Sequence, residues 1–266
     1  MPLPRVITFE TKLISEPQAN VMERNRLRFD SRHYDLVIGS ENVDVVDERG
    51  APLLILRHRA LPAAICEESL PALRRIAKPN KRRWGESSGS FGFLERGGGF
   101  NYCRCTPFTR DDPEGWNAVL SLVQALALVY RTALPEAFAV QMQYAQLTHE
   151  DFRIDGTPWT SGTVNRNAVF PAHRDDGNLS LGASVMAVLR RGKYSGGLFV
   201  LPEYRLAVDA HDRDVILFSS DLLHGNTAFA GAERTHERVS VVVYYRRGML
   251  DCGSAAEENA RANKFS

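Results

Sequence analysis

Apolar residues recur with a period of two through much of the second half of this chain. In Arg238-Val239-Ser240-Val241-Val242-Val243-Tyr244-Tyr245 the alternation places Arg238, Ser240, Val242 and Tyr244 on one face of a strand and Val239, Val241, Val243 and Tyr245 on the other. Comparable short runs cover 160–167, 183–189, 197–201, 206–208 and 214–219, and Val140-Gln141-Met142-Gln143-Tyr144 reads the same way. Further upstream, Leu36-Val37-Ile38, Val43-Asp44-Val45-Val46 and Leu53-Leu54-Ile55-Leu56 predict a small antiparallel meander around the Glu48-Arg49-Gly50 turn.

Helical spacing appears twice. Leu70, Leu73, Ile76 and Ala77 predict a short helix capped by Ser69, with Pro71 in its first turn and a stop by Lys78 ahead of Pro79. Asp112-Pro113-Glu114 opens a longer one: a capping acceptor, a proline at the first helical position and an acid in the first turn. Trp116, Val119, Leu120, Val123, Leu126 and Tyr130 then form an apolar stripe, widened by Leu122 and Val129, that needs a sheet to lie on. Many short strands with few helices predict a mainly β fold with flanking helices, a sandwich or jelly roll. The expected division is an N-terminal elaboration over 1–136, a core over 137–248 and a C-terminal tail over 249–266. Residues 1–30 are mixed and charged and are expected to wrap the surface. The stretch from Asp251 to Ser266 suits either a short helix or a mobile tail.

Composition narrows the partners. With 33 Lys+Arg against 32 Asp+Glu the net charge is +1, so no global basic field advertises nucleic acid. One local patch, Lys81-Arg82-Arg83-Trp84, could grip a phosphate backbone and stack a base; the alternative is a solvated loop leading into the Gly/Ser-rich stretch that ends at Gly99. No apolar run approaches the roughly 20 residues needed to cross a bilayer, and the first residues do not lead into a signal peptide core, so a soluble cytoplasmic protein is expected. Cys66, Cys103, Cys105 and Cys252 lack the spacing of a structural zinc site and read as scattered reduced thiols.

Candidate chemistry gathers at Phe170-Pro171-Ala172-His173-Arg174-Asp175. On an extended segment His173 and Asp175 point to one side, two potential metal ligands in register. His224 follows the apolar strand Asp214-Val215-Ile216-Leu217-Phe218 and could complete two histidines and a carboxylate, a set that leaves the far side of a metal open. His211 and His236 are rivals, but their charged neighbours suit solvated turns. If the Arg238 face of the last strand is interior, Arg238 and Ser240 call for an anion, a dicarboxylate among the candidates, or for an internal salt bridge. Arg234, in a polar loop, is the competing arginine.

The ordered set His173-x-Asp175, His224 and Arg238-x-Ser240 resembles the Fe(II)/2-oxoglutarate-dependent dioxygenases, whose fold is a double-stranded β-helix. The similarity looks closest to the TET and J-binding-protein group of pyrimidine dioxygenases, on Thr163-Val164-Asn165-Arg166-Asn167, Ala172-His173-Arg174-Asp175, Tyr194-Ser195-Gly196-Gly197-Leu198, Leu201-Pro202 and His224-Gly225-Asn226-Thr227. The chain lacks the Cys-rich region of animal TET proteins. What the resemblance implies is Fe(II) on His173, Asp175 and His224, and 2-oxoglutarate with its distal carboxylate on Arg238 and Ser240. O2 is the oxidant, and the reaction is hydroxylation of an unactivated C–H bond. Asn165 and Asn167 would contact cosubstrate or substrate, or simply pair with backbone. The implied substrate is the methyl group of thymine or 5-methylcytosine in DNA. Hydroxylation of a free small molecule and a non-catalytic binding module are the competing readings.

Overall fold

A computed structural model describes residues 3–79, 87–231 and 236–263. In chain order the strands are β1 (Arg5–Phe9), β2 (Leu36–Ile38), β3 (Val43–Asp47), β4 (Pro52–Arg57), β5 (Lys78–Pro79), β6 (Ser87–Leu94), β7 (Arg104–Cys105), β8 (Ser161–Arg166), β9 (Ser184–Arg191), β10 (Ser195–Gly196), β11 (Phe199–Leu201), β12 (Leu206–Val208), β13 (Asp214–Phe218), β14 (Gly225–Asn226), β15 (Phe229–Ala230) and β16 (Glu237–Tyr244). The helices are α1 (Glu16–Arg24), α2 (Ala63–Ile76), α3 (Pro107–Asp111), α4 (Pro113–Ala133), α5 (Pro135–Leu147) and α6 (Ala255–Asn263).

The large sheet runs β1-β3-β4-β13-β9-β16-β8-β6-β5, and a smaller one runs β14-β11-β12-β2. Side-chain alternation gives the large sheet two buried faces. Val239, Val241 and Val243 join Val185, Ala187, Val164 and Phe91 against Leu73 and Ile76 of α2 and Val119, Leu122 and Leu126 of α4. On the opposite face Met186, Val188, Ile216 and Phe218 pack on Phe199, Leu201, Leu206 and Val208 of the small sheet. The result is a strand-rich jelly-roll core with helices outside one sheet and the functional cavity between the two. The large sheet draws on both sides of residue 136, since β3, β4 and β6 pair into it.

The α4 helix starts as its sequence dictates: Asp112 Oδ1 accepts the N–H of Gly115 at 2.9 Å, with Pro113 at the first position. Other elements correct the sequence reading. Val140–Tyr144 is helical, inside α5, because Pro135 opens a helix and a five-residue alternation cannot separate the two periods. Gln141 and Ala145, four apart, are its buried residues. Gln141 Oε1 accepts from the Tyr130 hydroxyl at 2.9 Å.

α2 begins at Ala63, so Pro71 lies in its interior, and Ser69 is buried mid-helix with its hydroxyl donating to the Cys66 carbonyl rather than capping. Leu36–Ile38 leaves the meander and pairs parallel with β12 in the other sheet. The serine- and glycine-rich Ser87–Leu94 is a strand of the large sheet; at Gly89 a Cβ would stand 1.9 Å from the Ile76 carbonyl oxygen, so the residue type is set by contact with α2. Cys103 and Cys252 form a disulfide, their Cα atoms 5.8 Å apart, while Cys66 and Cys105 are free thiols. The C-terminal stretch is helical over Ala255–Asn263. Lys81, Arg82, Arg83, Trp84 and Arg234 lie outside the described residues. No helix among the described residues is long and apolar enough to cross a membrane.

Two substitutions test these local arguments. Asp112→Ala removes the α4 cap and should lower the unfolding free energy by about 1 kcal/mol. Gly89→Ala, which forces α2 off the sheet, should cost about 1–3 kcal/mol in the same urea titration.

Candidate metal centre and anion pocket

The two histidines are brought together by backbone. His173 N–H donates to the His224 carbonyl and His224 N–H to the His173 carbonyl, both at 2.9 Å, an isolated antiparallel bridge between irregular segments. Gly225 permits the approach, since a Cβ there would meet the Phe170 carbonyl oxygen at 2.7 Å and the Phe29 ring at 2.8 Å. Each Nδ1 lies 2.8 Å from a backbone carbonyl, of Pro171 and Leu222 respectively. A carbonyl can only accept, so both rings carry their proton on Nδ1 and turn an Nε2 lone pair toward Asp175. The Nε2 atoms of His173 and His224 stand 3.7 and 3.8 Å from Asp175 Oδ1.

Among the described residues His173, Asp175 and His224 form the one group of three or more His, Cys, Asp or Glu residues whose ligand atoms converge, all within 4.8 Å of one another. His224 is 5% exposed, wedged between Phe199 and Phe218, and burial pushes its pKa below the ordinary histidine value, against the pull of the Asp175 carboxylate. The neutral imidazole is the form that binds a metal. Two oriented imidazoles and one carboxylate on one side of an open space fit Fe(II), with the carbonyls of Pro171 and Leu222 as the outer partners that fix the rings.

The same space continues to Arg238. A cavity of about 300 Å³ is lined by the three ligand residues, by Arg238, Ser240, Val242 and Tyr244 of β16, and by Met186, Phe199 and Phe218. Arg238 is 6% exposed, and its guanidinium has no hydrogen bond or carboxylate partner among the described residues. Burial pulls its pKa below the ordinary arginine value. Its neighbour across the strand pair, Arg190, is paired with Asp209 at 2.9 Å, so among the described residues one carboxylate serves two adjacent arginines. No described residue makes an internal salt bridge to Arg238, and a buried guanidinium left without one can be compensated by an anion.

Asn165 sits between Ser240 and Ser88 in the strand register and lines the cavity. Its Oδ1 accepts from the Ser88 hydroxyl at 2.8 Å, leaving the amide N–H₂ without a partner among the described residues. Asn167 is not brought into the cavity. In a left-handed turn at φ 50°, it accepts the Arg238 N–H at 2.8 Å and donates to the His236 carbonyl, fixing the start of β16. Here the backbone-pairing alternative is the one realised. The rival histidines stand elsewhere: His211 contacts the Ser40 hydroxyl at 3.0 Å, and His236 packs on Tyr194 and Phe229 instead of occupying a solvated turn.

Sequence reasoning missed three further residues of the cavity lining, Asp176, Asn178 and Arg246. Arg246 is bound to Glu95 and donates to the Asn178 side chain at 3.3 Å. The alternation that singled out Arg238 and Ser240 points to Arg246 if it is counted past the end of the strand.

Comparison with known proteins matches the geometry. A protein-family model for Tet_JBP, the oxygenase domain of the 2OGFeDO superfamily, matches residues 95–247, more than half of the chain. The chain belongs to this family. The family's oxygenase chemistry uses Fe(II), 2-oxoglutarate and O2. Similar curated proteins include thymine dioxygenase JBP1 of Trypanosoma brucei brucei, 32% identical over 164 residues, which are 61% of this chain and 19% of that protein. JBP1 of Leishmania braziliensis is 30% identical over 230 residues, 83% of this chain and 28% of that protein. The chain therefore spans less than a third of the length of these relatives. The solved structure of NgTET1 in complex with 5mC DNA superposes with a TM-score of 0.66 at 12% identity, covering 99% of this chain and 91% of that one, a likeness of fold.

Removing one ligand should be decisive for the metal. His224→Ala is expected to abolish stoichiometric Co(II) binding followed by visible absorption, whereas His211→Ala binds Co(II) as the parent does.

Proposed function

We propose that this chain is a cytoplasmic Fe(II)- and 2-oxoglutarate-dependent dioxygenase that oxidises the methyl group of a pyrimidine base in DNA. The observation that carries the reading is the pairing, in one cavity, of a two-histidine, one-carboxylate ligand set with a buried arginine that has no carboxylate of its own among the described residues. Family membership supports the chemistry, and the thymine dioxygenases among the relatives support the substrate class.

In this reading His173, Asp175 and His224 hold Fe(II). Arg238 grips the distal carboxylate of 2-oxoglutarate through two parallel hydrogen bonds, with the Ser240 hydroxyl beside it and the free Asn165 amide as a further donor. Bound Fe(II) supplies the oxidation of an unactivated C–H bond at the expense of 2-oxoglutarate and O2. The chain's task is to orient and to exclude water. Met186, Phe199, Phe218 and Val242 give the cavity an apolar wall, and the Thr163–Tyr244 hydroxyl pair at 2.8 Å satisfies polar groups inside it. A base in a duplex must be turned out of the stack to enter such a cavity.

The test is incubation with Fe(II), 2-oxoglutarate and DNA containing thymine and 5-methylcytosine, followed by nucleoside mass spectrometry. Oxidised pyrimidine together with succinate is expected. Succinate formed on metabolite extracts and none on DNA would give the site to a free small molecule instead. In the same assay Arg238→Lys keeps the charge and loses the paired hydrogen bonds, a loss of about 1.5–3 kcal/mol that should raise KM for 2-oxoglutarate about 10- to 100-fold. An unchanged KM would place the carboxylate elsewhere.

A further inference from the structure

Arg174, between the two ligands of the H-x-D segment, turns away from the cavity center toward the N-terminal part of the chain. Its backbone N–H donates to Glu23 Oε1 at 2.8 Å, and its guanidinium donates to Glu23 Oε2, to Asn20 Oδ1 at 3.2 Å and to the Asp221 carbonyl at 3.1 Å. Asn20 and Glu23 belong to α1. The guanidinium also lies 3.8 Å from Glu203 Oε1.

Glu203 is 1% exposed, and the oxygenase chemistry has no use for it. Its Oε2 accepts the N–H of Leu223, the residue before His224, at 3.1 Å, and its Oε1 pairs with Lys12 at 2.8 Å. The Leu13 N–H donates to the Glu203 carbonyl at 2.7 Å. Burying a carboxylate is costly, and this one is compensated by two cations and a backbone donor. Two acids and two bases thus form one balanced network. It touches the backbone of both ligand-bearing segments and is anchored in residues 12–24.

We propose that Glu23, Arg174 and Glu203 are positioning residues that tie the segments bearing His173, Asp175 and His224 to α1, so that metal affinity is set in part by the N-terminal region. The proposal rests on the metal-centre reading. Metal ligands must be held to fractions of an ångström, and loss of the groups that hold them typically costs about 10- to 100-fold in affinity. Linkage makes the effect reciprocal: whatever docking of α1 contributes to metal binding, metal binding returns to the docking of α1.

The full chain can be titrated with Co(II) and followed by visible absorption, without turnover. Glu23→Ala, at a partly exposed position, should raise the Co(II) dissociation constant about 10- to 100-fold while the metal-free protein still melts in one cooperative transition. Glu23→Gln, which keeps an acceptor for the Arg174 N–H, should recover part of the affinity. Glu41→Ala, whose carboxylate pairs with Arg5, should change nothing. In the parent, Co(II) should slow hydrogen exchange at the amides of 16–24. Equal affinity in Glu23→Ala, or exchange in α1 indifferent to metal, overturns the proposal, and the exchange measurement decides alone if the variant does not fold. A parent chain that takes up no Co(II) sinks the metal centre itself, and this inference with it.

Discussion

Side-chain alternation along β16 is the constraint on which the site depends. One strand, hydrogen-bonded on both sides, gives three valines to the helix layer and Arg238, Ser240, Val242 and Tyr244 to the cavity. A slip of one residue would drive a guanidinium into the apolar contact with α2 and α4, at a cost no local rearrangement could offset. The register of the apolar face therefore fixes the chemistry of the polar one, and Arg238 and Ser240 are held in place by hydrophobic packing on the other side of the sheet.

The metal centre is built on a different principle. His173 and Asp175 lie in an irregular segment and His224 in the turn between β13 and β14, so no strand register sets their spacing. Reciprocal backbone bonds between the two histidines, two carbonyls that fix their tautomers, and a glycine that lets the segments touch do the work instead. The cavity joins these two constructions. One contributes three converging ligand atoms, the other a buried guanidinium that no described carboxylate pairs.

Much of this was legible in the sequence where a pattern had a single physical meaning. The α4 cap, the β16 alternation and the strand leading to His224 have one reading each, and the structure follows them. What failed were local patterns compatible with two structures. Val140–Tyr144 alternates as a strand would, but Gln141 and the following Ala145 stand four apart, and tertiary contact with Tyr130 settles it as helix. Ser87–Leu94 reads as loop because its glycines are set by residues distant in sequence, Gly89 by Ile76 and Gly92 by the Thr160 carbonyl, which no window along that strand contains. The Cys103–Cys252 pair spans 149 residues and was invisible for the same reason.

That contact beneath Gly89 has a reach beyond packing. Its neighbour Ser88 faces the other way, into the cavity, where its hydroxyl orients the Asn165 amide. The outer helix layer and the inner polar row are thus one residue apart on the same strand, separated only by the thickness of the sheet. A change at the end of α2, on the far side of the sheet, would be felt in the cavity as a shifted hydroxyl and a turned amide. The helices on this sheet are accordingly part of the cavity's tuning, although none of their side chains enters it.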